Sequence, residues 1–196
     1  MKVNELIGKI NDVLKESTIY IQGAAGEKLT QANKLKFSGS TYFNASKAKL
    51  IFNADENTRG FDEIGLVSYV TGEKFSNIGD VAGACVAVSK NFATIIPGEI
   101  VFMKDRVGIF VGGNKVVTVS PNGVGTTILD GWVSHGQLKS VEYAGPAPEP
   151  VQDEIPVLVE VSKISTETVE EAKEDGEKRD PEGRVDFRNN RARHRH

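Results

Sequence analysis

Apolar residues recur at three- and four-residue spacing near the start of the chain: Val3, Leu6, Ile7, Ile10, Val13 and Leu14, with Lys2, Glu5, Lys9 and Asp12 between them. A helix with 3.6 residues per turn gathers such a set on one face, so the pattern predicts an amphipathic helix packed on a globular body. Ile19-Tyr20-Ile21 then runs into the glycine-rich loop Gly23-Ala24-Ala25-Gly26. Residues 27–58 are polar and lack sustained periodicity, which predicts one or two short helices joined by loops. Gly65-Leu66-Val67-Ser68-Tyr69-Val70 is short and apolar, and by pattern alone fits a strand or a helix. Residues 78–92, rich in alanine and valine, read as a buried helix.

After the turn signal Pro97-Gly98 the period changes. Residues 100–103, 107–111 and 115–119 are β-branched and aromatic runs separated by short polar or glycine turns, with Gly112-Gly113-Asn114 the clearest. This is the pattern of an antiparallel meander. Helices first and strands after predict an α+β domain over residues 1–145. Pro146, Pro148, Pro150 and Pro156 then mark an extended linker, residues 146–156. In the remaining tail, 157–196, Val157-Leu158-Val159-Glu160-Val161 suits addition to another sheet edge. Residues 167–181 are acidic and nearly without large apolar groups, so they bury no core, and the tail is expected to order only on a partner.

Charge sharpens this division. Residues 1–148 carry 15 basic and 14 acidic side chains, residues 149–182 carry 12 acidic against 4 basic, and residues 183–196 set five arginines against Asp186. A near-neutral body offers no basic stripe for phosphates, so nucleic acid is not the expected partner. Arg184, Arg188, Arg191, Arg193 and Arg195 read instead as ion-pair donors to an acidic protein neighbour. No run approaches the roughly 18 apolar residues of a membrane span. Met1-Lys2-Val3-Asn4-Glu5 opens no secretory signal, so an unsecreted chain is expected. The single cysteine, Cys85, excludes an intramolecular disulfide and any multi-cysteine zinc site. Two of the three histidines fall in the last three residues, so neither metal nor cofactor is predicted.

Several motifs, in order, resemble the NlpC-type cell-wall cysteine peptidases, whose fold is a reduced papain-like one. Tyr20 with Gly23 and Gly26 matches the family's first tyrosine and glycine loop. Arg59-Gly60-Phe61-Asp62-Glu63-Ile64-Gly65-Leu66-Val67 matches the Phe-Asp-Cys-Ser-Gly-Leu-Val segment that opens the central helix. Pro97-Gly98-Glu99-Ile100-Val101-Phe102 resembles the Pro-Gly-Asp strand opening, and Arg106-Val107-Gly108-Ile109-Phe110-Val111-Gly112 the His-Val-Gly-Ile-Tyr-Val-Gly strand. Trp132-Val133-Ser134-His135-Gly136-Gln137-Leu138 looks like the closing segment of phage-borne relatives. The resemblance covers residues 17–143.

The resemblance fails where the chemistry is decided. The family's nucleophile is a thiolate activated by a helix start and an imidazolium. Glu63 stands at the cysteine position and Arg106 at the histidine position; Thr118 holds the third, polar position. A guanidinium that stays protonated is no general base. Cys85, in Gly83-Ala84-Cys85-Val86-Ala87, reads as a small core residue, and His135 as a structural hydrogen-bonder. The resemblance therefore implies a pseudoenzyme, Glu63, Arg106, Thr118 and Tyr20 marking its degenerate active site. It further implies a structural or assembly component of a bacteriophage virion, whose tail docks on neighbouring subunits through 157–161 and the arginines. The alternatives are a non-catalytic peptidoglycan-peptide binding module and a hydrolase with relocated catalytic residues, such as an Asp62–Glu63 acid–base pair. Glu63 and Arg106 keep the signs of a thiolate–imidazolium pair, which predicts a contact within about 4 Å.

Overall fold

A computed structural model of the chain describes residues 1–143, which fall within one compact unit. The predicted first helix is α1 (Val3–Lys15), with Val3, Leu6, Ile7, Ile10 and Val13 on its buried face. Strand β1 (Thr18–Tyr20) leads into the glycine loop, and β2 (Ala25–Lys28) leaves it. Three short helices follow where one or two were expected: α2 (Gln31–Ser38), α3 (Tyr42–Ser46) and α4 (Ala48–Asn53). The starts of α2 and α3 are written in the sequence, since Thr30 and Thr41 accept hydrogen bonds from the backbone N–H of Asn33 and Asn44. Strand β3 (Arg59–Phe61) runs parallel to β1 and antiparallel to β2. The order β1-β3-β2 makes a small sheet that the hydrophobic pattern did not reveal.

The ambiguous segment after β3 is helical: α5 spans Glu63–Thr71 and ends on Gly72 in the left-handed conformation. The reading of residues 78–92 as one buried helix is corrected. Only α6 (Ile78–Gly83) is helical, and Cys85–Ser89 form strand β4, with Val86 and Val88 exposed. Alternating β-branched residues suit a sheet edge better than a helix, and β4 pairs with the last strand.

A 3₁₀ turn at Phe92–Thr94 precedes the expected meander: β5 (Ile100–Phe102), β6 (Val107–Gly112), β7 (Lys115–Ser120) and β8 (Gly123–Ile128). Gly113 and Asn114 both have positive φ (57° and 62°), as a two-residue hairpin turn between Gly112 and Lys115 requires. Strand β9 (Ser134–Leu138) then inserts between β4 and β5, giving the order β4-β9-β5-β6-β7-β8.

Both faces of this sheet are covered, which explains why β6 is apolar along its length. On one face Ile100, Ile109, Val117 and Val119 join Leu6 and Ile10 of α1, Phe61, and Leu66, Val67 and Val70 of α5 in the largest core. On the other, Val101, Phe110, Val116 and Trp132 form a separate cluster. A third cluster, Ile21, Ala24, Leu29, Phe37 and Ile51, lies under α2–α4. The predicted α+β domain, with N-terminal helices and an antiparallel sheet, is the observed one. Among the described residues, no helix is long and apolar enough to cross a membrane. The linker and the tail residues Val157, Leu158, Val159, Val161, Arg184, Arg188, Arg191, Arg193 and Arg195 lie outside the described residues.

Candidate functional site

Strand β3 delivers the chain directly to the start of α5, and Asp62 makes the joint. Its extended backbone caps the helix, and its carboxylate accepts from the backbone N–H of Gly65 and of Gly23, each at 2.6 Å. One side chain thus satisfies an orphan helix donor and ties down the glycine loop. Each oxygen of Asp62 accepts from a backbone donor, which makes it the cap of α5.

Glu63 is the first residue of α5. Its Oε1 lies 3.5 Å from Nε of Arg106, so the expected contact is present. Arg106 directly precedes β6, and its far end is held by β7. Nη2 donates to the Val119 carbonyl at 3.1 Å and lies 3.4 Å from Oγ1 of Thr118. Buried Thr118 donates in turn to the Val107 carbonyl at 2.8 Å. The guanidinium is therefore aimed at the helix start by strand backbone.

Tyr20, Glu63 and Arg106 line one cleft of about 350 Å³ together with Phe43, Val119, Ser120 and Pro121. Thr118 touches the cleft only through Arg106. Phe43, from α3, meets the Tyr20 ring edge-on with centroids 5.2 Å apart. Phe43 was not among the sequence candidates, because nothing in residues 27–58 ties it to the motifs on either side. The structure brings Tyr20, Glu63 and Arg106 together in one cleft, with Thr118 behind Arg106, although the four are spread over about a hundred residues.

Burial raises the pKa of Glu63 above its ordinary value, and the neighbouring Asp62 carboxylate adds to the rise; its own backbone N–H and Arg106 pull the other way. Tyr20 is raised as well, first by burial and then by the Glu63 and Asp62 charges. The signs can be checked by following the Glu63 side-chain carbonyl by NMR through a pH titration. Its midpoint is expected above the ordinary glutamate value, higher still in Arg106→Gln, and lower in Asp62→Asn. Since the folded state holds the Glu63 proton more tightly than the unfolded chain does, this group lowers stability as pH rises between its two midpoints. Arg106 is 36% exposed and Glu63 19%, so solvent screens the pair, and a double-mutant cycle is expected to give a coupling below about 1 kcal/mol.

Chemically, the cleft offers a carboxylate, a guanidinium, a phenol and a serine hydroxyl; its described lining contains neither thiol nor imidazole. Cys85 is buried elsewhere, with Sγ donating to the Val81 carbonyl, and burial first of all pushes its pKa up to about 11. That is the opposite of an activated thiol. His135 is 2% exposed, with Nδ1 on the Glu99 carboxylate and Nε2 3.1 Å from the Asn91 carbonyl, so it is a structural hydrogen-bonder. Among the described residues, no three His, Cys, Asp or Glu side chains converge as a metal site. No model of a known protein family matches the chain, and no curated protein does.

Proposed function

We propose that residues 1–145 are a reduced papain-like, NlpC-type domain that has become a pseudoenzyme. On this reading the chain is a structural or assembly component of a bacteriophage virion, and its tail docks on neighbouring subunits. The observation that carries the reading is the Glu63–Arg106 contact. On this reading, the carboxylate at the start of the central helix and the guanidinium beside the sheet strand stand at the positions of the resembled family's nucleophile and base. The pair keeps the signs of a thiolate and an imidazolium and abandons their chemistry. The element order supports the same reading: an N-terminal helix, a glycine loop beside a tyrosine, a helix capped by aspartate, then an antiparallel sheet.

Peptidoglycan peptides incubated with the purified chain are expected to remain uncut. Turnover that Glu63→Ala abolishes would overturn the pseudoenzyme reading. For the assembly role, deletion of residues 150–196 is expected to leave a folded body that no longer enters particles, measured by mass spectrometry of purified virions. Normal incorporation of the truncated chain would remove the docking role.

The cleft itself favours a second reading, a non-catalytic module that holds a peptidoglycan peptide. A space of about 350 Å³ lined by an aromatic pair and by two opposite charges suits a peptide with amine and carboxylate groups. Retention on purified cell wall, lost in Arg106→Gln, separates this reading from the first.

A further inference from the structure

Helices α2–α4 carry a surface that the fold does not use. Of the ten exposed large hydrophobic side chains among the described residues, five lie here: Leu35 (61% exposed), Tyr42 (93%), Phe43, Leu50 (47%) and Phe52. Phe43 belongs to the cleft; the other four are a local concentration of exposed apolar side chains within eighteen residues of sequence. The same stretch is one-signed, since residues 31–53 contain four lysines and no acidic residue.

Two of those lysines are committed. Lys34 is buried and donates to the Ala54 carbonyl at 2.6 Å, closing the end of α4, and Lys36 reaches Glu27 at 3.6 Å. Lys47 and Lys49 have no ion-pair partner among the described residues. With Ser46, Leu50 and Asn53 they line a shallow depression of about 380 Å³. Tyr42, 93% exposed, stands one turn before Ser46 on the same face of α3. A ligand matched to this face is a polypeptide segment that alternates carboxylates with aliphatic side chains.

The chain contains such a segment. Residues 149–161 hold Glu149, Asp153, Glu154 and Glu160, no basic residue, and Val151, Ile155, Val157, Leu158, Val159 and Val161. Pro150 and Pro156 each fix one backbone dihedral in advance, which lowers the entropy lost on docking. We propose that the α2–α4 face is the docking site for residues 149–161 of a second copy of this chain. This rests on the assembly reading above and gives its tail an address: carboxylates on Lys47 and Lys49, aliphatic side chains on Leu50 and Tyr42.

The test uses the full chain with a photo-crosslinking phenylalanine derivative in place of exposed Leu50, mixed as ¹⁴N and ¹⁵N copies and irradiated. The expected product joins Leu50 of one isotope to residues 149–161 of the other. Its yield is expected to fall about fivefold in Lys47→Glu with Lys49→Glu, the effect of losing two exposed charge contacts. It is expected to recover when the other copy carries Glu149→Lys, Asp153→Lys and Glu154→Lys. Crosslinks confined to one isotope, to another part of the chain, or to added phosphatidylglycerol vesicles overturn the proposal, as does a yield indifferent to the lysine changes. If tail deletion blocks incorporation while Leu50 yields no tail crosslink, the proposal falls and the assembly reading stands. If mixed-isotope crosslinks form while the truncated chain incorporates normally, the contact stands and the assembly reading falls.

Discussion

Replacing Glu99 by alanine is expected to cost roughly 2–4 kcal/mol of folding stability, measured by urea unfolding, because it removes the acceptor of two side-chain hydrogen bonds, each unsatisfied donor costing about 1–3 kcal/mol. Glu99 is 3% exposed and His135 2%. The carboxylate receives His135 Nδ1 on one oxygen and Nε2 of Gln137, at 2.9 Å, on the other. Both nitrogens of His135 face acceptors, Glu99 and the Asn91 carbonyl, and the Phe92 ring lies 5.1 Å from the imidazole. Alanine at 99 would leave both donors without the acceptor they share. Glu99→Gln keeps the volume and one carbonyl oxygen, so it is expected to cost less than the alanine change. The pair fastens β5, β9 and the loop before the 3₁₀ turn, and it is no part of the cleft. The Glu63 titration midpoint should therefore stay where it is in Glu99→Gln. A stability loss below about 1 kcal/mol in Glu99→Ala, or a displaced Glu63 midpoint in Glu99→Gln, would contradict this assignment.

That pair also shows where sequence reading stops. Glu99 and His135 are 36 residues apart, and only the pairing of β5 with β9, which sets Val101 opposite His135, makes them neighbours. Nothing local in either segment announces the other. The Glu63–Arg106 contact spans a similar gap and was nonetheless foreseen, because a motif resemblance supplied the long-range geometry and the charge signs supplied the attraction. Long periodic elements were legible for a local reason. Helix α1 repeats its burial at three- and four-residue spacing, and strands β5–β7 are short apolar runs buried almost without interruption between turn signals. Helices α2–α4 bury only Lys34, Phe37, Asn44 and Ile51, too few to write a period. Strand β4 fails differently: its exposed valines face solvent at a sheet edge, and alanine-rich flanks imitate a helix.

Gly65→Ala is expected to destabilise the body by about 3 kcal/mol, against the direction that helix propensity alone gives. Within a helix alanine is favoured over glycine by roughly 1 kcal/mol, and Gly65 lies inside α5. Packing decides otherwise. A Cβ at Gly65 would sit 1.9 Å from the Ala24 carbonyl oxygen, 2.8 Å from its carbon and 2.9 Å from Cα of Ala25. These are backbone atoms of the loop beneath the helix, and no rotamer change relieves them. The same Ala24 carbonyl accepts from Asp62 N at 3.0 Å, and Asp62 bonds the N–H groups of Gly65 and Gly23. Separating α5 from the loop would therefore loosen the helix cap and carry Glu63 away from Arg106 together. Gly8→Ala is the internal control: Gly8 lies in α1, and a Cβ there meets nothing within 4 Å. That change is expected to stabilise by roughly 0.5–1 kcal/mol. Urea unfolding of the two variants should thus move in opposite directions, and only Gly65→Ala should shift the Glu63 titration midpoint. Equal gains from both substitutions would mean that α5 does not rest on the glycine loop as described, and the positioning of the Glu63–Arg106 pair would lose its physical basis.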